Sequence, residues 1–157
     1  MPLWRVYSAP NLLSEAEKAS LSATITKSYT QYGIPSFYIT ILYVPLDPSD
    51  VHGGSTYPNP NFIRITVEQI AHKLPDGETD EGAARWDKVM SPLFDNLGLE
   101  FEVLNKQRTL LGETDLLWEI SIQETPQDLW QIQGLRSPPA RSERETTWRK
   151  EKRTVKL

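Results

Sequence analysis

With 157 residues, 38% of them hydrophobic and 24% charged, the chain has the size and balance of one soluble globular domain rather than of a disordered chain. It has no cysteine, so disulfides and thiolate metal sites are excluded, and a zinc site on its two histidines, His52 and His72, would need carboxylates as well; no metal or cofactor is expected. No apolar run approaches the ~20 residues of a membrane helix, and the start lacks the basic and apolar regions of a signal peptide, so a cytoplasmic location without a membrane partner is expected.

The net charge of −4 is unevenly spread: residues 136–157 hold eight Lys/Arg and three Glu, a local +5 that leaves −9 on the rest. A basic tail on an acidic body points to self-association or to a tail meeting an anionic partner, with a solvated terminal helix as the alternative. Nucleic-acid binding is not expected, because no recognition motif or interleaved aromatic stripe accompanies the charge.

In chain order, "PLWRVYSA" reads as a first strand. Proline directly behind the initiator methionine carries a chemical option: once Met1 is removed, Pro2 is a secondary amine at the chain terminus. A free α-amine titrates near about 8, closer to neutrality than a lysine. "SEAE" (Ser14 to Glu17) has the spacing of a capping box. Behind it Leu21, Ile25, Tyr29 and Tyr32 recur at helical spacing, and Gly33 is expected to stop the helix. "FYITILYV" (Phe37 to Val44), rich in β-branched and aromatic residues, reads as a second strand.

After a loop dense in Pro, Gly, Asp, Asn and Ser, the pattern repeats. "NFIRITVEQI" is a strand with Ile63, Ile65 and Val67 on one face. Asp80 to Leu97 is expected to be a helix with an apolar stripe of Trp86, Val89, Met90, Leu93, Phe94 and Leu97, kinked by Pro92 and ended by Gly98. "DLLWEISIQET" closes the second unit, with Leu117, Glu119, Ser121 and Gln123 alternating against Trp118, Ile120 and Ile122.

Two β-α-β units, over residues 2–50 and 60–125, predict an α/β (α+β) fold: a four-stranded mixed sheet with two helices on one face. The domain is expected to span residues 1–135, followed by the basic tail over 136–157. The second sheet face is expected to lie bare and apolar, which points to an oligomer.

The phrases "MPLWRVY", "TITKSYTQYGIPSFYI", "PNFIRITVEQIAHKL" and "ETPQDLWQIQGLRSPPARSE" make the chain resemble the tautomerase superfamily over roughly Pro2 to Glu145. Within it the likeness is to the cis-3-chloroacrylic acid dehalogenase-like group, in its fungal-type branch. The resemblance implies tandem β-α-β units, a homotrimer with sheet faces packed around an axis, and catalysis by Pro2 on a small carboxylate. The substrates it implies are 2-oxo acids, their enols, or haloacrylates.

The resemblance also implies site positions. The dehalogenase has a substrate-binding histidine at the helix position occupied here by Tyr29; a phenol can still hydrogen-bond a carboxylate or carbonyl. Tyr29 also continues the Leu21/Ile25 stripe, so packing and catalytic readings both stand. The dehalogenase's pair of arginines falls on Gln69 and His72, or on Ile70 and Lys73 in the shifted register, so the bidentate guanidinium clamp is missing. Gln69, His72 and Lys73 are the substrate-binding candidates, with Arg64 as a further cation or a structural or subunit-pairing residue. The water-activating tyrosine and glutamate fall on Ser121 and Ile132, which cannot serve as that base, while Glu124, before Thr-Pro, reads as capping a turn. The reading is therefore a keto–enol tautomerase working through Pro2. A catalytically idle oligomeric binding protein, or a residual cis-3-haloacrylate dehalogenase, is the alternative. Trp130 either walls the pocket or anchors the tail, which is expected to form a charged helix reaching a neighbouring subunit.

Overall fold

The computed structural model describes residues 2–52, 60–70, 88, 91–139 and 142–155. Strand β1 (Pro2–Ser8) leads into α1 (Glu15–Thr30), and β2 (Thr40–Pro45) completes the first unit. Strand β3 (Phe62–Ile70), α2 (Ser91–Leu110) and β4 (Leu117–Thr125) make the second. A short hairpin, β5 (Gln131–Ile132) with β6 (Leu135–Arg136), and a final helix α3 (Glu143–Glu151) follow. The four long strands form one mixed sheet in the order β2-β1-β3-β4, parallel within each unit and antiparallel where β1 meets β3.

Helix α1 starts where its capping box requires. Ser14 Oγ accepts from the Glu17 amide, and Glu17 Oε2 accepts from the Ser14 amide at 2.7 Å. Leu21, Ile25 and Tyr29, four residues apart, are buried on the sheet. Tyr32 departs from that stripe: it lies past the end of α1, is 47% exposed, and donates its hydroxyl to the Lys88 carbonyl at 3.1 Å. The turn after α1 is closed by Gly33, whose φ of +82° suits a residue without Cβ.

Two expected elements have different bounds. Phe37 and Tyr38 belong to a 3-10 turn (Ser36–Tyr38) after Pro35, and the strand begins at Thr40. Helix α2 does not stop at Gly98 but runs to Leu110, because the apolar stripe continues as Leu93, Leu97, Phe101 and Leu104, all buried. A helix-interior glycine costs about 1 kcal/mol, and burying a Phe or Leu side chain returns about 1.5–3 kcal/mol each, so the helix continues. Phe101 stacks on Trp118 at 4.8 Å, and Asn105 exchanges two hydrogen bonds with the backbone of Leu116, fixing where β4 begins. Of the expected stripe, Trp86, Val89 and Met90 lie outside the described residues.

The core fills the space between the helices and one sheet face: Trp4 and Val6 from β1, Ile63, Ile65 and Val67 from β3, and the helix residues above. The other face is mixed rather than apolar. Register places Leu3, Tyr7, Leu42 and Val44 on it beside two ion pairs, Arg5 with Glu68 at 2.6 Å and Arg64 with Glu119. The C-terminal segment folds back on its own chain. Trp148 is fully buried, and Arg149 reaches within 4 Å of where a side chain on Gly33 would begin.

Candidate active site

The antiparallel register of β1 and β3 sets Pro2 opposite Gln69. Strand period two then puts Pro2 and Trp4 on the helix-facing side together with Gln69 and Val67. Pro2 and Trp4 are under 2% exposed, and Gln69 is 8% exposed. From above, the last turn of α1 lowers Tyr29 onto this corner of the sheet. Trp4 Nε1 donates to the Tyr29 hydroxyl at 3.2 Å, and that hydroxyl donates in turn to Gln69 Oε1 over a long 3.5 Å. The Trp4 and Tyr29 rings meet edge to face, 6.2 Å apart.

This relay decides what each group can do. Burial pushes the Tyr29 phenol above its ordinary range, outweighing the hydrogen bond from Trp4, which favours ionisation. Tyr29 is thus a neutral donor and acceptor near neutrality, not a base. With its oxygen engaged by Tyr29, Gln69 has N–H donors to offer a ligand. Pro2, Tyr29 and Gln69 are brought together, and Tyr29 is both a core residue and a member of the cluster.

Arg64 stands elsewhere, on the opposite sheet face, half exposed and paired with Glu119. His72 and Lys73 lie outside the described residues, two and three positions beyond the end of β3 at Ile70. Ser121 aligns with Thr66 on the face away from Pro2.

The parallel register of β3 and β4 adds a residue that sequence reasoning set aside. Glu124 pairs with Gln69, so Pro2, Gln69 and Glu124 form one row across three strands on the same face. Two interstrand steps separate the first from the last, about 10 Å. Extending the inward series Trp118, Ile120, Ile122 by one more step would have reached it. Glu124 is exposed and has an interaction partner.

A second aromatic pair borders the same end of the sheet. Tyr38, just ahead of β2, meets Trp130 edge to face with centroids 6.0 Å apart; both rings are buried. The Tyr38 phenol is pushed up to about 12, first by burial and then by Glu145, with Arg149 opposing. Among the described residues no helix is long and apolar enough to cross a membrane.

The chain matches, over residues 1–153, the family model described as "Putative oxalocrotonate tautomerase enzyme". It is similar to RhCC from the bacterium Rhodococcus jostii RHA1, at 30% identity over 99% of both chains with a TM-score of 0.74. It is equally similar in sequence, at 30% over 100% of this chain and 98% of the other, to a protein from the fungus Aspergillus fumigatus described as a probable enzyme, with a TM-score of 0.69. At lower identity the fold alone is shared with N1, a member of the cis-3-chloroacrylic acid dehalogenase family, at 14% over 93% and 89% of the chains with a TM-score of 0.57. It is shared also with a fused 4-OT solved as an asymmetric trimer, at 19% over 85% and 94% with a TM-score of 0.54. No curated protein matches the chain. The duplicated β-α-β sheet with Pro2 buried at its corner, together with a family match that spans nearly the whole sequence, places this chain in the tautomerase superfamily.

Proposed function

We propose that the protein is a keto–enol tautomerase that uses the amine of Pro2, freed by removal of Met1, to move a proton on a small 2-oxo or unsaturated carboxylate. The observation that carries this reading is the Pro2–Gln69–Tyr29 cluster. The neutral amine takes the proton from the enol hydroxyl and returns it to carbon, acting as base and then acid. Gln69 N–H groups, held in place by the Tyr29 hydroxyl, hydrogen-bond a carboxylate or carbonyl oxygen of the substrate.

The finer assignment to the cis-3-chloroacrylic acid dehalogenase-like group and its fungal-type branch belongs to the same proposal, supported by the N-terminal and C-terminal sequence phrases. So does a homotrimer built on the open sheet face, supported by the Leu3, Tyr7, Leu42 and Val44 patch. Hydrolytic dehalogenation has less support, since Ser121 faces away from Pro2 and Ile132 carries no acid or base.

Two measurements test the reading. Intact mass should show loss of Met1, and the Pro2→Ala variant should ketonise small enol carboxylates at least about 100-fold more slowly than the parent. Equal rates would remove Pro2 from the mechanism. No turnover by either protein would favour the idle binding reading, which draws on the neutral amide at Gln69 where an anion clamp would need a cation.

A further inference from the structure

Strand β4 and the turn before β2 mark opposite margins of the sheet end at which Pro2 stands. Thr125 pairs with Ile70 on one margin, and on the other Thr40, two residues after Tyr38, pairs with Leu3. Three interstrand steps, about 14–15 Å, separate those margins. Yet Trp130, five residues past Thr125, touches Tyr38. Five residues reach about 17 Å at most, so the stretch from Pro126 to Trp130, with its 3-10 turn at Gln127–Leu129, must pass across the Pro2 end.

The chain then locks itself in place beyond the crossing. Ser137 and Pro138 are buried, and α3, whose Trp148 is fully buried, sets Arg149 beside Gly33 and Glu145 near Tyr38. Trp148 Nε1 donates to the Val155 carbonyl at 2.8 Å, and Thr154 donates to Gln133 in the hairpin turn, tying the last residues back to β5 and β6. Against these contacts stand two buried groups without a hydrogen-bond partner among the described residues, Arg144 Nε within α3 and the hydroxyl of Tyr38. Tyr38 is only 6% exposed. A buried unpaired hydroxyl is paid for only while the segment is down, and opening rehydrates it.

We propose that residues 126–139 and 142–155 form a latch that closes over Pro2 within the same chain, hinged after Thr125 and locked by the Tyr38–Trp130 pair, and that it must open for a ligand to reach Pro2. The latch as a moving unit stands on packing alone; its role as a gate rests on the reading of Pro2 as the reactive group.

Hydrogen exchange followed by mass spectrometry on the full chain tests it. Amides of 131–136 and 143–151 should exchange together, faster than those of β1 and β3. Trp130→Ala should accelerate that exchange at least tenfold, and with it the exchange at the start of β1, while the rest of the sheet stays protected. Tyr38→Phe, which deletes the unpaired hydroxyl, should slow the same exchange about tenfold. Exchange of the segment only in step with the whole sheet, or no change at the start of β1 in Trp130→Ala, overturns the latch. If Trp130→Ala fails to fold, Tyr38→Phe alone decides: slower exchange supports the latch, and unchanged or faster exchange overturns it. Failure of the Pro2→Ala assay would leave this result standing, so the two proposals fail separately.

Discussion

Trp4 and Tyr29 are joined twice, by the indole N–H donating to the phenol at 3.2 Å and by an edge-to-face ring contact at 6.2 Å. The first strand and the last turn of α1 are thereby fixed to each other two residues along β1 from Pro2. Tyr29→Phe keeps the ring contact but orphans the buried Trp4 N–H and loosens Gln69. Stability should fall by about 1–3 kcal/mol, measured by urea denaturation with an unchanged m-value. Trp4→Phe in the same background should then cost less hydrogen-bonding energy than in the parent, since the donor has already lost its acceptor.

Three buried or half-buried phenols give the protein an alkaline limit. Burial raises Tyr29, Tyr38 and Tyr43 above the ordinary value of 10.0, Tyr38 to about 12. Below pH 10 each is protonated in both folded and unfolded chains, so none contributes to pH dependence there. Above it the unfolded chain loses these protons while the folded one keeps them, and the slope of stability against pH turns negative. Stability should decline from about pH 10 through 12, and Tyr38→Phe should flatten that decline. Phenolate absorbance at 295 nm, titrated beside thermal melts, checks both.

The alternation of β3 and β4 and the capping box of α1 were legible because each is local: side chains two apart share a face, and Ser14 needs only Glu17. The register between strands was not legible, and the site depends on it. Nothing within "TVEQI" or "SIQET" tells that Gln69 stands between Pro2 and Glu124; the pairing of three strands does. Arg64 attracted attention as a cation, yet parity with Thr66 and Glu68 already assigned it to the face away from Ile63, Ile65 and Val67. Gly98 misled for a different reason. A glycine ends a helix only when it takes a left-handed conformation, and that choice is made by whether apolar positions continue beyond it, as Phe101 and Leu104 do.

Gly98 is therefore a site for stabilisation. It lies inside α2, its φ is not left-handed, and a Cβ built there meets nothing within 4 Å. Gly98→Ala should add about 0.5–1 kcal/mol by restricting the unfolded chain and favouring the helix. A melting temperature higher by a few degrees, with no change in the contacts of Leu97 or Phe101, is the expected outcome. Gly33→Ala should do the reverse, because its φ of +82° strains any side chain, while Arg149, 3.7 Å from the added carbon, would be in ordinary contact with it.

The proposed trimer makes the open sheet face the last point to test. Leu42 is 43% exposed there, in register with Arg5 and beside the Arg5–Glu68 ion pair. A face that carries Leu3, Tyr7, Leu42 and Val44 among paired charges can pack against copies of itself, since its charges are already neutralised within the chain. Leu42→Asp adds an unpaired carboxylate to it. The variant should sediment as a monomer at concentrations where the parent is a trimer, with the far-ultraviolet spectrum unchanged. Leu110→Asp, at the 87% exposed end of α2, is the control and should leave assembly untouched. An equal mass for parent and Leu42→Asp would move the interface off this face, and the outer surface of α2 would be the next to substitute.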